Sequence, residues 1–326
     1  MLADFGETSP NSVEALSRAA LVLGELCLDI IVYNPQSVTV LGQPIWAEDI
    51  VLRLGGSATY AAQALHALGH EVSLCGVIGE DVTTDHWLAR LREEGINVER
   101  VHRQAGQPMP TCIGICEGGR KRFLACSPLP HYGPETLECP LEGIALLYFG
   151  GYLLYPELWD GPLFRLFEEA KAQHTLVALD TQFLPISPHL FKDKALTPAT
   201  MKSVDVLFVN RKEALALTKR REPAKAAQEL AALGPQVVVV KLGSQGCLTW
   251  SRGECISSNR LDVDAYDPVG AGDYFGAAFS YGLLQGWNLQ KVSDFANAFA
   301  ALCISREKET RLPSAAETLA WLEGGW

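Results

Sequence analysis

The chain has 326 residues, 48% of them hydrophobic, enough to fill a sizeable core in one large α/β domain or two ordinary ones. Its 27 Lys and Arg stand against 38 Asp and Glu, and the net charge of −11 repels nucleic acid and anionic lipid alike. No apolar run reaches the roughly 18–20 residues of a membrane helix. The first nineteen residues lack the basic start and apolar block of a secretory leader, so 1–19 reads as a short extension of a cytoplasmic protein.

Ala20 to Val32 is a β-branched-rich apolar run interrupted by Gly24, Glu25 and Asp29, which predicts one buried strand with an acid near its C-terminal end. Val38 to Leu54 alternates around Gly42 and Pro44, as a bent excursion of strands would. Ser57 to Leu68 has helical spacing between Gly55-Gly56 and Gly69, so His66 and His70 mark a helix end rather than a ligand pair. A strand (Val72–Ile78), a helix (Thr83–Glu94) and a strand (Val98–Arg103) follow, in the rhythm of a parallel sheet covered by helices.

Met109 to Ser127 breaks that rhythm with two alternating runs joined at Glu117-Gly118-Gly119-Arg120, a hairpin. With the residues around 33–50, the stretch 105–127 predicts a small β-flap outside the main sheet. Strands then return at Ala145–Phe149, Leu176–Leu179, Val204–Val209 and Val237–Lys241, and helices close the chain at Ala271–Leu284, Leu289–Ile304 and Ala315–Leu322. The nine cysteines include no Cys-x-x-Cys and read as reduced, buried hydrophobes, with Cys112 and Cys116 on one strand face as the nearest thing to a pair.

Chemistry concentrates in Asp267-Pro268-Val269-Gly270-Ala271-Gly272-Asp273, at the start of an apolar helix. Gly270, Ala271 and Gly272 let backbone N–H groups approach an anion, and the helix N-terminus adds its positive end at the same spot. That end is expected to keep Asp273 ionised, so that it accepts a hydroxyl proton beside an incoming phosphoryl group. The plainer alternative is a glycine turn with Asp273 as a helix cap. There is no Gly-Lys dipeptide and hence no Walker A loop, and the late glycine cluster does not fit a dinucleotide fingerprint.

The segment resembles the Asp-Thr-x-Gly-Ala-Gly-Asp signature of the ribokinase-like (PfkB) carbohydrate kinases. Gly55-Gly56-Ser57-Ala58-Thr59-Tyr60 resembles that family's N-terminal Gly-Gly signature, Asn210-Arg211-Lys212-Glu213 its Asn-x-x-Glu motif, and Val240 to Gly246 its nucleotide-side strand and glycine turn. The likeness runs over about residues 20 to 320. It implies a three-layer α/β/α sandwich with a mostly parallel central sheet, a small β-strand lid at about 33–50 and 105–127, and a kinase domain over 20–326. It further implies ATP-dependent phosphorylation of a hydroxyl on a small sugar or polyol, with Asp273 as general base and Gly270–Gly272 as anion hole. Asp29, Gly55, Gly56, Ser57 and Tyr60 would bind the acceptor; Asn210, Lys241, Gly243, Ser244, Gly246 and Asn297 would bind the nucleotide. Glu213 would act on Mg2+ through water, and the likeness leaves open K+ beside Asp267 and Val269 and a homodimer formed through the lid strands.

Each of these residues also has a bland role. Asp29 could be a strand-end acid in water, Glu213 a helix-dipole partner, Asn297 a polar residue on a helix face, and Lys241 a surface strand end. Pro268 stands where the family usually has threonine and Tyr60 where it often has asparagine. Asp180-Thr181-Gln182 replaces a common Asp-x-Asn, and Ser305 to Glu309 is charged where a small turn is usual. These departures leave the acceptor open between sugars, inositol-like polyols and nucleosides, with a nucleoside kinase or a catalytically silent ligand-binding relative as alternatives.

Overall fold

The computed structural model describes residues 19–36, 42–118, 120–125, 129–159, 161–182, 196–259, 261–306 and 312–324. The expected N-terminal extension lies outside them up to residue 18, as do 37–41 of the flap, Gly119 of its hairpin and 307–309 of the charged segment.

Strand β1 (Ala19–Gly24) enters the central sheet, and the chain then leaves it as β2 (Cys27–Tyr33) and β3 (Asp49–Gly55). Next come α1 (Ser57–Ala67), β4 (Glu71–Gly79), α2 (Thr84–Glu93) and β5 (Asn97–Gln104), then the hairpin β6 (Thr111–Glu117) and β7 (Arg120–Ala125). The alternation resumes with β8 (Ile144–Gly150), α3 (Pro162–Ala172), β9 (Leu176–Asp180), α4 (Pro198–Met201) and β10 (Val206–Asn210). It continues through α5 (Arg211–Thr218), α6 (Pro223–Ala231), β11 (Val237–Lys241), β12 (Cys247–Ser251) and β13 (Glu254–Ser258). The chain closes with α7 (Ala271–Leu284), α8 (Leu289–Ser305) and α9 (Ala315–Glu323).

Nine strands form the central sheet in the order β13-β12-β11-β10-β9-β8-β1-β4-β5, all pairs parallel except the two made by β12. Alternate residues of the parallel strands are buried on opposite faces: Val22, Leu74, Tyr148 and Phe208 pack with α1, α7 and α8, whereas Leu23, Leu147, Phe149 and Leu207 pack with α3 and α6. Burial on both sides is why these strands read as unbroken apolar runs, and it yields the expected α/β/α sandwich. Among the described residues no helix is long and apolar enough to cross a membrane.

The run Ala20 to Val32 is two strands in two sheets, not one. At Gly24, φ is +131° and a Cβ would lie 1.8 Å from the Gly150 carbonyl oxygen, so the backbone passes where no side chain fits. Glu25 then donates its N–H to that oxygen, and the chain turns out of the sheet. Periodicity could not reveal this, because β2 also buries alternate residues. Asp29 therefore sits inside a second, four-stranded sheet, ordered β3-β2-β6-β7, opposite Arg53 on β3 and Cys112 on β6.

This small sheet is the expected flap, but its first two strands flank 33–50 rather than fill it, and that segment is mostly their connection. Sequence reading also missed the β12–β13 hairpin, whose Arg252 and Gly253 both take positive φ (50° and 88°), the signature of a tight two-residue turn. Cys112 and Cys116 share a strand face as expected, yet four residues of extended chain separate them by about 13 Å. Replacing Gly24 by Ala combines strained φ with a backbone clash, and should cost more than roughly 2 kcal/mol, read as a lower urea midpoint; an unchanged midpoint would contradict the tight β1–β8 crossing.

Candidate active site

The carboxyl ends of β1, β9, β10 and β11 meet the N-termini of α1, α5 and α7 on one side of the sheet, where open α/β sheets offer a crevice. The three residues that finish and follow β9 each hold a different side chain there. Asp180 takes the Lys241 ammonium at 2.5 Å, the Thr181 hydroxyl donates to Glu213 at 2.7 Å, and the Gln182 amide donates to Glu25 at 2.8 Å. Lys241 is thus no surface strand end: its side chain is 14% exposed and its Nζ also lies 3.4 Å from the Gly272 carbonyl oxygen. Burial would lower its pKa, but the Asp180, Glu213 and Asp273 carboxylates outweigh burial and raise it.

Asp273 lies in the first turn of α7, behind Gly270, whose φ of 79° admits the sharp entry. The Ser57 hydroxyl donates to its Oδ1 at 2.6 Å. The expectation that the helix N-terminus keeps this acid ionised is reversed: burial, aided by the Asp180 charge, pushes its pKa up to about 7 against the pull of Lys241, Ser57 and Lys121. Among the described residues the Gly270 and Gly272 amides have no hydrogen-bond partner, while Ala271 and Asp273 close turn bonds to the Pro268 and Gly270 carbonyls. The expected cradle therefore presents two open N–H groups rather than three in a row.

Gly55, Gly56, Ser57 and Tyr60 bring Asp29 to the same place. A Cβ on Gly55 would meet the Asp29 carboxyl at 2.3 Å, and the Tyr60 ring stands 3.1 Å from a Cβ on Gly270. Asp29 is buried, not a strand-end acid in water; Tyr60 and Cys27 donate to its two oxygens, and burial raises its pKa. Glu25 is also enclosed, its pKa pushed up to about 7 first by burial and further by the Asp29 charge, while the Ser57 amide and Gln182 oppose the rise.

Glu213 closes a capping box at the start of α5 with Asn210, whose amide, both main-chain and side-chain, donates to it. Lys241 is the main charge that offsets its burial. Gly243 and Ser244 form an exposed turn after β11. Gly246 runs against the Ser258 carbonyl, and Asn297 on α8 donates to the Ser258 hydroxyl at 2.7 Å, so these two are neighbours, away from the Asp273 cluster in the bonding network. Asp267 accepts from the Tyr33 hydroxyl at 2.7 Å and from the Val269 amide at 3.0 Å, and pairs with Arg53 at 2.5 Å; Lys121 donates to the Pro268 carbonyl at 2.7 Å. Two protein cations thus already sit on this loop, one on the Asp267 carboxylate and one on the Pro268 carbonyl.

Over residues 18–315 the chain matches the pfkB family carbohydrate kinases. It belongs to that family. A 2-dehydro-3-deoxygluconokinase of Thermoproteus tenax is 28% identical over 279 residues, 81% of this chain and 83% of the relative. An uncharacterized sugar kinase of Archaeoglobus fulgidus is 24% identical over 247 residues, 74% and 94% of the two chains. The structure of Arabidopsis thaliana ribokinase complexed with ribose and ATP superposes with a TM-score of 0.73 at 22% identity, covering 93% of this chain and 98% of that one, which shows a common fold. The motif-based resemblance is borne out, and the protein is a carbohydrate kinase.

Sequence reasoning missed Glu25, Arg53, Lys121 and Asp180 as parts of this kinase's site. Glu25 had a signal, a second acid inside an apolar run; Arg53 and Lys121 had none, because their positions depend on how the small sheet folds back. Lys121 is an exposed residue whose ammonium rests on the Pro268 carbonyl at 2.7 Å.

The raised pKa of Asp273 makes a stability prediction. The folded protein binds this proton more tightly than an unfolded chain titrating near 3.8, so the stability it lends is complete below about pH 4 and is lost as pH rises through 7. Asp273→Asn cannot ionise, so its Tm should gain on the wild type by at least about 2 °C between pH 5 and pH 8 in thermal melts. A constant difference across that range would contradict a half-buried, readily neutralised acid.

Proposed function

We propose that this kinase transfers the γ-phosphoryl group of Mg·ATP to a hydroxyl of a small sugar or polyol, with Asp273 as general base. The observation that carries this reading is the Asp273 carboxyl, half-buried at the amide-rich start of α7 with Ser57 on one oxygen and Lys241 beside the neighbouring carbonyl. Ser57 fixes Oδ1 and leaves Oδ2 to take the acceptor proton. A pKa near 7 suits a base that must receive a proton in the transition state and release it afterwards. The open Gly270 and Gly272 amides and the positive end of α7 oppose the negative charge that develops on the transferring group, with Lys241 and Lys121 adding charge from either side.

Asn210, Lys241, Gly243, Ser244, Gly246 and Asn297 would line the nucleotide, as the ribose- and ATP-bound ribokinase of the same fold supports. Among the described residues no three His, Cys, Asp or Glu stand together as a metal site, which suits a magnesium ion carried in on phosphate oxygens, with Glu213 reaching it only through water. Magnesium would neutralise and bridge the phosphates. Asp29, Gly55, Gly56 and Tyr60 would bind the acceptor, and the small sheet, which carries Asp29, Arg53 and Lys121, would act as a lid that excludes water. We assign the reaction to the cytoplasm, where ATP is available.

The other face of the lid carries a row of apolar side chains, Leu52-Ile30-Ile113-Leu124, in register across all four strands. Leu52 and Leu124 are 64% and 57% exposed. We infer that a second copy covers this row, since an identical apolar patch is self-complementary about a two-fold.

Two experiments test these readings. ADP release from Mg·ATP, measured against sugars, polyols and nucleosides, should single out one acceptor class, and Asp273→Asn should lower kcat on it about 10²–10⁴-fold while still binding nucleotide. Near-normal turnover in that variant would sink the assignment. Leu52→Lys should convert a dimer to a monomer in sedimentation velocity, and a wild-type chain that already runs as a monomer at micromolar concentration would refute the dimer.

A further inference from the structure

The sequence suggests no partner for Cys75, yet the fold brings Cys139, 64 residues further on, to within 3.3 Å of its sulfur. Cys75 is fully buried on β4, and Cys139 lies on the irregular stretch before β8, 7% exposed. Both thiols gather around the Thr136 carbonyl oxygen, Cys75 at 3.0 Å and Cys139 at 3.7 Å. A disulfide needs the sulfurs about 2.05 Å apart, so each need move only about half an ångström or a little more, and the irregular stretch can supply the shift.

The two thiols are not equivalent. Strand register sets Arg100 on β5 opposite Cys75. The two sulfurs share a hydrogen bond that either can donate, and with the Arg100 guanidinium beside them the Cys139 pKa is lowered despite burial while the Cys75 pKa is raised. Cys139 also lines a surface groove of about 520 Å³ between Leu137–Pro140 and α3, with Arg165 and Glu169 on its opposite wall. Small solutes thus meet Cys139 first and reach Cys75 only through it.

We propose that Cys139 and Cys75 are an oxidisable pair, with Cys139 the thiol that meets a hydroperoxide entering this groove and Cys75 the thiol that resolves it into a disulfide. The Cys139 sulfur attacks the peroxide oxygen, the O–O bond breaks, and an alcohol or water leaves with a proton, giving a sulfenic acid. The Cys75 sulfur then attacks the sulfenic sulfur, the S–O bond breaks, and water leaves with the second thiol proton. One hydroperoxide is reduced by two electrons and the two thiols are oxidised by two.

The bond would clip β4 to the segment that returns from the lid to the central sheet. Tyr132 in that segment grips Gly24 through its hydroxyl, donating to the carbonyl at 2.7 Å and accepting from the amide at 3.1 Å. Gly24 directly precedes Glu25 of the site, so the clip acts on the same crossing that positions the crevice. The inference stands on the fold and not on the assigned reaction.

The full chain, reduced and freed of reductant, would be treated with one equivalent of hydrogen peroxide, alkylated under denaturing conditions and digested without reduction. Mass spectrometry should find the Cys75 and Cys139 peptides joined and two hydrogens lighter than their sum, separating again with dithiothreitol. Cys75→Ser should instead leave Cys139 as a sulfenic acid captured by dimedone. Oxidation of the exposed Cys255 with Cys75 and Cys139 both still alkylated would overturn the proposal, as would a bond from either to another cysteine. The wild-type digest decides alone should the variant not fold.

Discussion

Lys241 is the counter-charge that lets Asp180, Glu213 and Asp273 share the carboxyl edge of one sheet. Glu213 and Asp273, drawn this far from water, favour the neutral form, and the one enclosed ammonium opposes both while it pairs with Asp180. Its place follows from parallel pairing: β9 and β11 both flank β10, so Asp180 at the end of one strand faces Lys241 at the end of the other. The Asp180-Thr181-Gln182 tripeptide then ties Lys241, Glu213 and Glu25 into one network.

The small sheet brings a second set of charges. Arg53 neutralises Asp267 from β3, and Lys121 reaches the Pro268 carbonyl from β7, so the loop ahead of α7 is held by cations that belong to the protein. Pro268, which lacks a hydroxyl and an amide donor, follows Asp267 of the first contact and supplies the carbonyl of the second. The site is therefore built from two sheets, one that fixes the helix N-termini and one that delivers Asp29, Arg53 and Lys121 to them. Motion of the small sheet would change the electrostatics at Asp273 as well as access to it.

Much of the central sheet could be read in advance because strands buried on both faces leave long apolar runs and the helices between them have their own period. The bounds of α7 were legible to the residue, since glycines precede an apolar helix whose tail ends in Gln285-Gly286. The same logic failed between Ala20 and Val32, where two consecutive strands bury alternate residues in different sheets and periodicity carries no mark of the switch. Nor could it pair the thiols: Cys112 and Cys116 share a strand face as expected but stand far apart on it, while Cys75 and Cys139 are distant in sequence and adjacent in space.

The sequence by itself determined the residues whose roles are local. Gly270, Gly272 and Asp273 open a helix, Gly55 to Ser57 open another, and Asn210 with Glu213 caps a third; in each case the chemistry depends on neighbours along the chain. The tertiary structure alone decided the state of those groups. Burial turned Asp273 from a dipole-stabilised anion into an acid with a pKa near 7, enclosed Lys241 beside Asp180, and set Arg53 and Lys121 against the 267–269 loop. The physical reason is that desolvation and long-range charge pairing depend on what the rest of the chain packs around a residue, and no local pattern of residue types records that.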